Sequence, residues 1–77
     1  MERLNLRQLE IFSAVVDAGS FTAAAEKLYL AQSTVSDNVR ALEELLHLKL
    51  FHRESKRRLT LTLEGKRVYR YAQDILG

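Results

Sequence analysis

The segment FTAAAEKLYLAQSTVSDNVRALEELL, residues 21–46, limits the possible folds more than any other part of the chain. It opens with Ala23, Ala24 and Ala25, which favour helix and present so little side chain that a second helix can approach closely. It continues into a second helical pattern from about Gln32 to Leu46. At about 100° per residue, Val35, Val39, Leu42 and Leu46 fall within roughly 60° of one another, with Leu45 beside them. That stripe reads as core. Gln32, Ser33, Ser36, Asp37, Arg40 and Glu44 lie on the far side, in a sector of about 140°. Only Tyr29, Leu30 and Ala31 separate the two helices, with neither Gly nor Pro among them. Two helices, one with a small-residue face and one with a polar outer face, must therefore meet across a three-residue turn.

The flanking segments supply what those helices pack against. Leu6, Leu9, Phe12 and Val16 recur on one helical face within residues 5–18, and Val15 widens it. Asn5 is placed to cap that helix at its start, and Gly19 stands where a left-handed glycine closes a helix. Ser20 is placed to cap the Ala-rich helix, with Phe21 packing under the cap. After His47 the pattern changes to alternation. LKLFHR (48–53) and LTLT (59–62) read as two short strands around the charged tip ESKRR, a hairpin without an Asn-Gly type of turn. Thr62 then caps a last helix, with Glu64 in its first turn. Val68, Ala72 and Ile75 share one face of that helix, and Tyr71 lies next to it.

Composition narrows the function classes. A chain of 77 residues forms one domain at most, near the lower limit for a core without staples. There is no Cys, so disulfides and thiolate metal sites are excluded, and a reducing cytoplasm is compatible. No apolar run approaches 18 residues, and the charged N-terminus MERLNLRQLE lacks the apolar stretch of a signal peptide. His47 and His52 have no partner at metal-ligand spacing. Neither a nucleophile elbow nor a Gly-rich phosphate loop is present, so nothing supports catalysis or a cofactor. The net charge of +2 is unevenly spread. Residues 1–46 carry four basic and seven acidic residues, whereas residues 47–71 carry eight basic residues against Glu54 and Glu64. A basic half on a nearly neutral chain points to a polyanion, although charge alone fits a solvated basic surface equally well.

An Ala-rich helix, a three-residue turn and a polar-faced helix together make a helix-turn-helix, the unit that lays its second helix in a major groove. Ala25 is small where the helices cross, and Leu28, Leu30 and Val35 supply apolar contacts around the turn. Tyr29 stands where many such turns have Gly. The basic hairpin that follows would make it a winged helix-turn-helix. Four blocks carry a more specific likeness: LRQLEIFSAVVDAGSFTAAAEKL (6–28), AQSTVSDNVRALEELL (31–46), KLFHR (49–53) and LTLEG (61–65). In order and spacing the chain resembles, over essentially its whole length, the N-terminal DNA-binding domain of LysR-type transcriptional regulators.

The resemblance implies a mainly α fold. Residues 1–61 would form a winged helix-turn-helix with a three-helix core and a two-stranded wing, and residues 62–77 a linker helix that pairs two protomers. It also implies an effector-binding domain that is absent here, to which any small-molecule effector would belong. Gln32, Ser33, Ser36 and Asp37 match positions that reach base edges, with Thr34 and Arg40 on the same DNA-binding surface. Ser20 and Thr22 match positions that meet phosphate. Arg53 matches a wing arginine of the minor groove, with Lys56, Arg57 and Arg58 at the wing tip. Val68, Tyr71, Ala72 and Ile75 would form the dimer seam, although core packing is the other reading of that stripe. The implied partners are double-stranded operator DNA and a second copy, or a tetramer of a longer protein, with no membrane and a cytoplasmic, nucleoid-associated location.

Three departures bear on the site. Ala31 stands where the family often has a capping Ser, and Ser33 replaces a frequent Pro, so Ser33 is expected to cap and shorten the helix start. Asp37 stands where Arg is common; it would repel phosphate, accept from a cytosine amino group, or pair with Arg40. The wing ESKRRLT reads as a residue longer than the commonest pattern, which leaves open which tip residue reaches DNA. Two other classes remain at this point: a winged-helix module that binds protein, and a small helical dimerisation module.

Overall fold

Three of the four helices begin at a side chain that caps them. In a computed structural model of the chain, which describes residues 5–52 and 59–77, the order is α1 (Leu6–Ala18), α2 (Phe21–Leu28), α3 (Gln32–Leu46) and α4 (Leu63–Leu76). Asn5 Oδ1 accepts from Arg7 N at 2.7 Å. Ser20 Oγ accepts from Ala23 N at 3.0 Å, and Thr62 Oγ1 from Gly65 N at 2.8 Å. Each bond satisfies a first-turn donor that the helix cannot satisfy itself. Gly19 closes α1 at φ 84°, as the sequence predicts.

The ends of α2 and α3 are closed by one device used twice. Tyr29 N donates to Glu26 O while Leu30 N donates to Ala25 O. His47 N and Leu48 N repeat this with Glu44 O and Glu43 O. These are Schellman closures, which require a left-handed residue. Tyr29 (φ 59°) and His47 (φ 57°) occupy that position without being glycine. A left-handed non-glycine residue costs about 1–2 kcal/mol, so the packing on either side must outweigh it.

That packing centres on α1, which touches each of the other helices. Leu9, Ile11, Phe12 and Val15 of α1 are buried with Ala24 and Ala25 of α2, Val35, Val39 and Leu42 of α3, Leu50, Phe51, and Ala72 of α4. The Phe12 ring lies 5.5 Å from Phe51 and 6.5 Å from Tyr69, and Phe21 lies 5.6 Å from Phe51. The α1 stripe read from sequence needs one correction. Leu6 is exposed, and Ile11, off that stripe, is in the core. A helix enclosed by three others buries more than one face, so a single-stripe pattern underestimates it.

The expected hairpin is described only at its base. Among the described residues it is a single antiparallel bridge, Phe51 to Leu61, flanked by His52 N to Thr60 O (2.9 Å) and Thr62 N to Leu50 O (3.0 Å). Side chains hold its base. The buried Glu43 carboxylate accepts from Leu50 N at 2.8 Å, and Thr62 Oγ1 donates to Lys49 O at 2.5 Å. The tip, with Arg53, Lys56, Arg57 and Arg58, lies outside the described residues.

Helix α4 packs along α1 through Val68, Tyr69 and Ala72. The Tyr69 hydroxyl donates to Asp17 Oδ1 and accepts from Gln73 Nε2 at 3.1 Å. The hydrogen bond to Asp17 raises the phenol pKa above that of a free tyrosine, with desolvation and the carboxylate charge adding to it. The folded chain then holds a proton that the unfolded chain releases near about pH 10. The stabilisation is fully present below that pH and declines as pH rises through the folded value. Urea midpoints measured from pH 8 to 11 should fall at the alkaline end, and Tyr69→Phe should remove this contribution to the fall.

At Gly65 an added Cβ would lie 2.1 Å from the Leu50 carbonyl oxygen and 2.9 Å from Leu61 Cδ2. Gly→Ala in an open helix interior adds about 1 kcal/mol of stability. Here the sign reverses, because the carbonyl belongs to backbone held on both sides. Gly65→Ala should lower unfolding free energy by about 1–3 kcal/mol, read from chemical denaturation.

Candidate nucleic-acid interface

The stripe Val35, Val39 and Leu42 is buried, which fixes the rotation of α3 and turns its other face outward. Gln32, Ser33, Thr34, Asp37 and Arg40 are exposed on that helix, and Ser36 is half-buried beside them. The sequence therefore predicts the orientation of α3 correctly. The start of α3 differs from expectation. Ser33 lies inside the first turn and does not cap; Ala31 is the N-cap residue, in extended conformation (φ −68°, ψ 146°), and no side chain caps the helix. The core stripe sets the first turn here, and Thr34 N and Val35 N both find the Ala31 carbonyl, at 3.1 and 3.2 Å.

Local bonds sort the outward residues further. Thr22 Oγ1 donates to Gln32 Oε1 at 3.1 Å, linking the first turns of α2 and α3. Asn38 Nδ2 donates to Thr34 O at 2.8 Å and so turns back onto its own helix. Ser20 Oγ is engaged as the α2 cap, although accepting that bond does not use its hydroxyl proton. Asp37 Oδ1 lies 3.6 Å from Arg40 Nη1, with the two side chains 72% and 57% exposed. An ion pair that open to water is worth about 0–1 kcal/mol, so it biases Arg40 without locking it.

A groove between α3 and the hairpin base is lined by Phe21, Ser36, Val39, Arg40, Phe51, His52 and Leu59. It lies next to the point where the chain enters the basic tip. Lys49, Lys66, Arg67 and Arg70 are exposed as well. Sequence reasoning missed Glu43, which holds Leu50 at the base of this hairpin. It reads as one of two adjacent acids on a helix edge, and only the chain reversal at His47 brings an unpaired backbone N–H to it.

The expected dimer seam divides in two. Ala72 is fully buried in the chain's own core and Val68 is half-buried against it. Tyr71 (53%) and Ile75 (43%) remain exposed. Helix α4 needs one face for α1, so Ala72, at the centre of that face, has no surface left for a second chain.

The sequence profile described as "Bacterial regulatory helix-turn-helix protein, lysR family" matches residues 6–66. The chain belongs to the LysR family. It is 46% identical over 74 residues to the HTH-type transcriptional regulator CrgA of Neisseria meningitidis, a match covering 96% of this chain and 24% of that protein. It is 46% identical over 77 residues to the regulator CfxR of Cupriavidus necator, again 24% of the relative's length. Among solved structures it resembles the BenM DBD in a complex with catB site 1 DNA. There the TM-score is 0.90 and the identity 44%, over 95% of this chain and 77% of that one. The full-length Vibrio cholerae virulence activator AphB matches with a TM-score of 0.86 and 36% identity, over 95% of this chain and 25% of that one. The helical fold is thus that of LysR-type DNA-binding domains, and the chain spans about a quarter of the length of these full-length relatives.

The uncapped start of α3 is a local weakness within this LysR-type domain. Ala31 already has the extended backbone of an N-cap, so Ala31→Ser requires no rearrangement. The change should add about 1 kcal/mol and raise the melting temperature by about 4–8 °C, as read by calorimetry.

Proposed function

We propose that this chain is the sequence-specific DNA-binding part of a bacterial transcriptional regulator. One observation carries the reading: a core-locked α3 presents Gln32, Ser33, Thr34 and Ser36 on a single outward face, in a chain whose following segment, 49–58, is basic in sequence. The likeness to the BenM DBD, a domain solved in complex with DNA, supports it. Helix α3 enters the major groove, where an amide and hydroxyls reach base edges. Arg53, with Lys56, Arg57 and Arg58, engages the adjacent minor groove and its phosphates. Ser20, at the start of α2, meets the backbone.

Two copies pair through the exposed side of α4, with Tyr71 and Ile75 at the contact and Val68 at its margin. A two-fold protein favours an inverted repeat with half-sites spaced by whole helical turns. The domain works without a cofactor, in the cytoplasm where the chromosome lies. Response to a small-molecule effector belongs to the rest of a longer regulator.

Duplexes enriched from a random pool test this directly. Affinity for them should fall steeply with salt, about 0.9 log units per log unit of salt for each phosphate neutralised. Arg53→Ala should weaken binding to every sequence and lower that slope by about one. Gln32→Ala should cost about 1–3 kcal/mol of discrimination at one base pair and leave non-specific affinity nearly intact. A protein that enriches no duplex at about 50 mM salt but retains a protein partner would instead be a winged-helix protein-binding module.

A further inference from the structure

Thr22 is the second residue of α2 and Gln32 the first of α3. Ten positions apart in sequence, they meet in a hydrogen bond of 3.1 Å from Thr22 Oγ1 to Gln32 Oε1. Both side chains are exposed, so the bond lies on the surface of α2 and α3 and not in the core. Water competes for both partners there, and the fold gains little from the contact. What the contact changes is the direction of an amide. A free glutamine samples many rotamers, and the freedom lost on binding weakens its contribution. With its oxygen hydrogen-bonded to α2, the Gln32 amide plane is biased toward one orientation before any partner arrives.

The inventory of donors sharpens the consequence. A threonine hydroxyl has one proton, and a glutamine amide has an accepting oxygen and two N–H donors. The proton given to Gln32 is not available to a phosphate oxygen. The bond occupies one lone pair of Oε1 and turns that oxygen toward α2, while the NH2 group, on the other side of the same carbon, points away from it. In the major groove, purine N7, guanine O6 and thymine O4 offer acceptors, whereas the cytosine edge offers only the N4 donor.

We propose that Thr22 is a positioning residue for base reading: its hydroxyl anchors the Gln32 oxygen so that the amide NH2 selects a base edge that carries an acceptor and rejects cytosine. This rests on the DNA-binding reading above. Thr22 then acts through Gln32, in place of the phosphate contact that family resemblance implies for it.

The test uses Thr22→Val, which keeps the shape and removes the hydroxyl, and Thr22→Ser, which keeps the hydroxyl. Each is made in the intact protein, alone and combined with Gln32→Ala. Binding is measured on the enriched duplex and on its three variants at the base pair that Gln32→Ala identifies. The expected result is a loss of about three- to tenfold in preference at that base pair for Thr22→Val. Thr22→Ser should restore the preference, and Thr22→Val should have no further effect once Gln32 is Ala. An equal loss on all duplexes that persists in the Gln32→Ala background would mark Thr22 as a phosphate contact and overturn the inference. An unchanged preference in Thr22→Val overturns it as well. Either result leaves DNA binding standing; only a parent protein that selects no duplex removes the function on which the inference rests.

Discussion

The backbone of Leu50 is the point on which the arrangement of the domain depends. Its N–H donates to the buried carboxylate of Glu43, and its carbonyl accepts from Thr62 N. Gly65 lies so close to that carbonyl that an added Cβ would clash with it and force the backbone to shift. One peptide segment is thereby tied to the end of α3 and the start of α4, with Thr62 also donating to Lys49 O. A hydrogen bond to a charged acceptor contributes about 1.5–3 kcal/mol, and a buried donor left unpaired costs a similar amount. The angle between α3 and the base of the basic hairpin is therefore set by side chains. The short bridge at Phe51 and Leu61 would hold it poorly alone.

The two ends of α3 are bounded by backbone closures. The helix lies between two Schellman closures whose left-handed residues, Tyr29 and His47, are both non-glycine. Tyr29 is 95% exposed, so its side chain gains almost nothing from burial that would offset the backbone cost. The offset comes from Leu28 and Leu30 on either side, both packed against the core. A glycine here would loosen the unfolded and folded turn alike, whereas a tyrosine has fewer ways to depart from the turn.

The parts of this fold legible in the sequence are those encoded by neighbours. Asn5, Ser20 and Thr62 each lie within three residues of the N–H they cap, and the α3 stripe repeats within one helix. These gave the helix bounds and the outward face of Gln32 through Arg40. What was not legible depends on residues far apart in the chain. Ile11 is buried because α1 is enclosed by three helices, and Glu43 because the chain reverses at His47. Ala72 is core because α4 folds back onto α1, a contact that Tyr69 and Asp17 close across 52 positions. The Thr22–Gln32 bond falls in the same class. Each residue looks like an independent polar group until the left-handed turn at Tyr29 brings two helix starts together.

Asp37 bears on how such a surface would divide affinity from specificity. Attraction to the phosphates scales with the cations presented and is the same for every sequence. A carboxylate on the outward face of α3 subtracts from that term, and it also competes, 3.6 Å away, for the guanidinium of Arg40. The exposed pair is weak, so Arg40 is free to exchange Asp37 for a phosphate when the approach geometry offers one. If α3 reads a groove as proposed, a sequence that lets Arg40 reach the backbone while a base-edge donor meets the carboxylate would be favoured over one that does not. An acidic residue there would then lower total affinity while widening the gap between the right duplex and the wrong one. Selectivity among many competing sites depends on that gap more than on the dissociation constant alone.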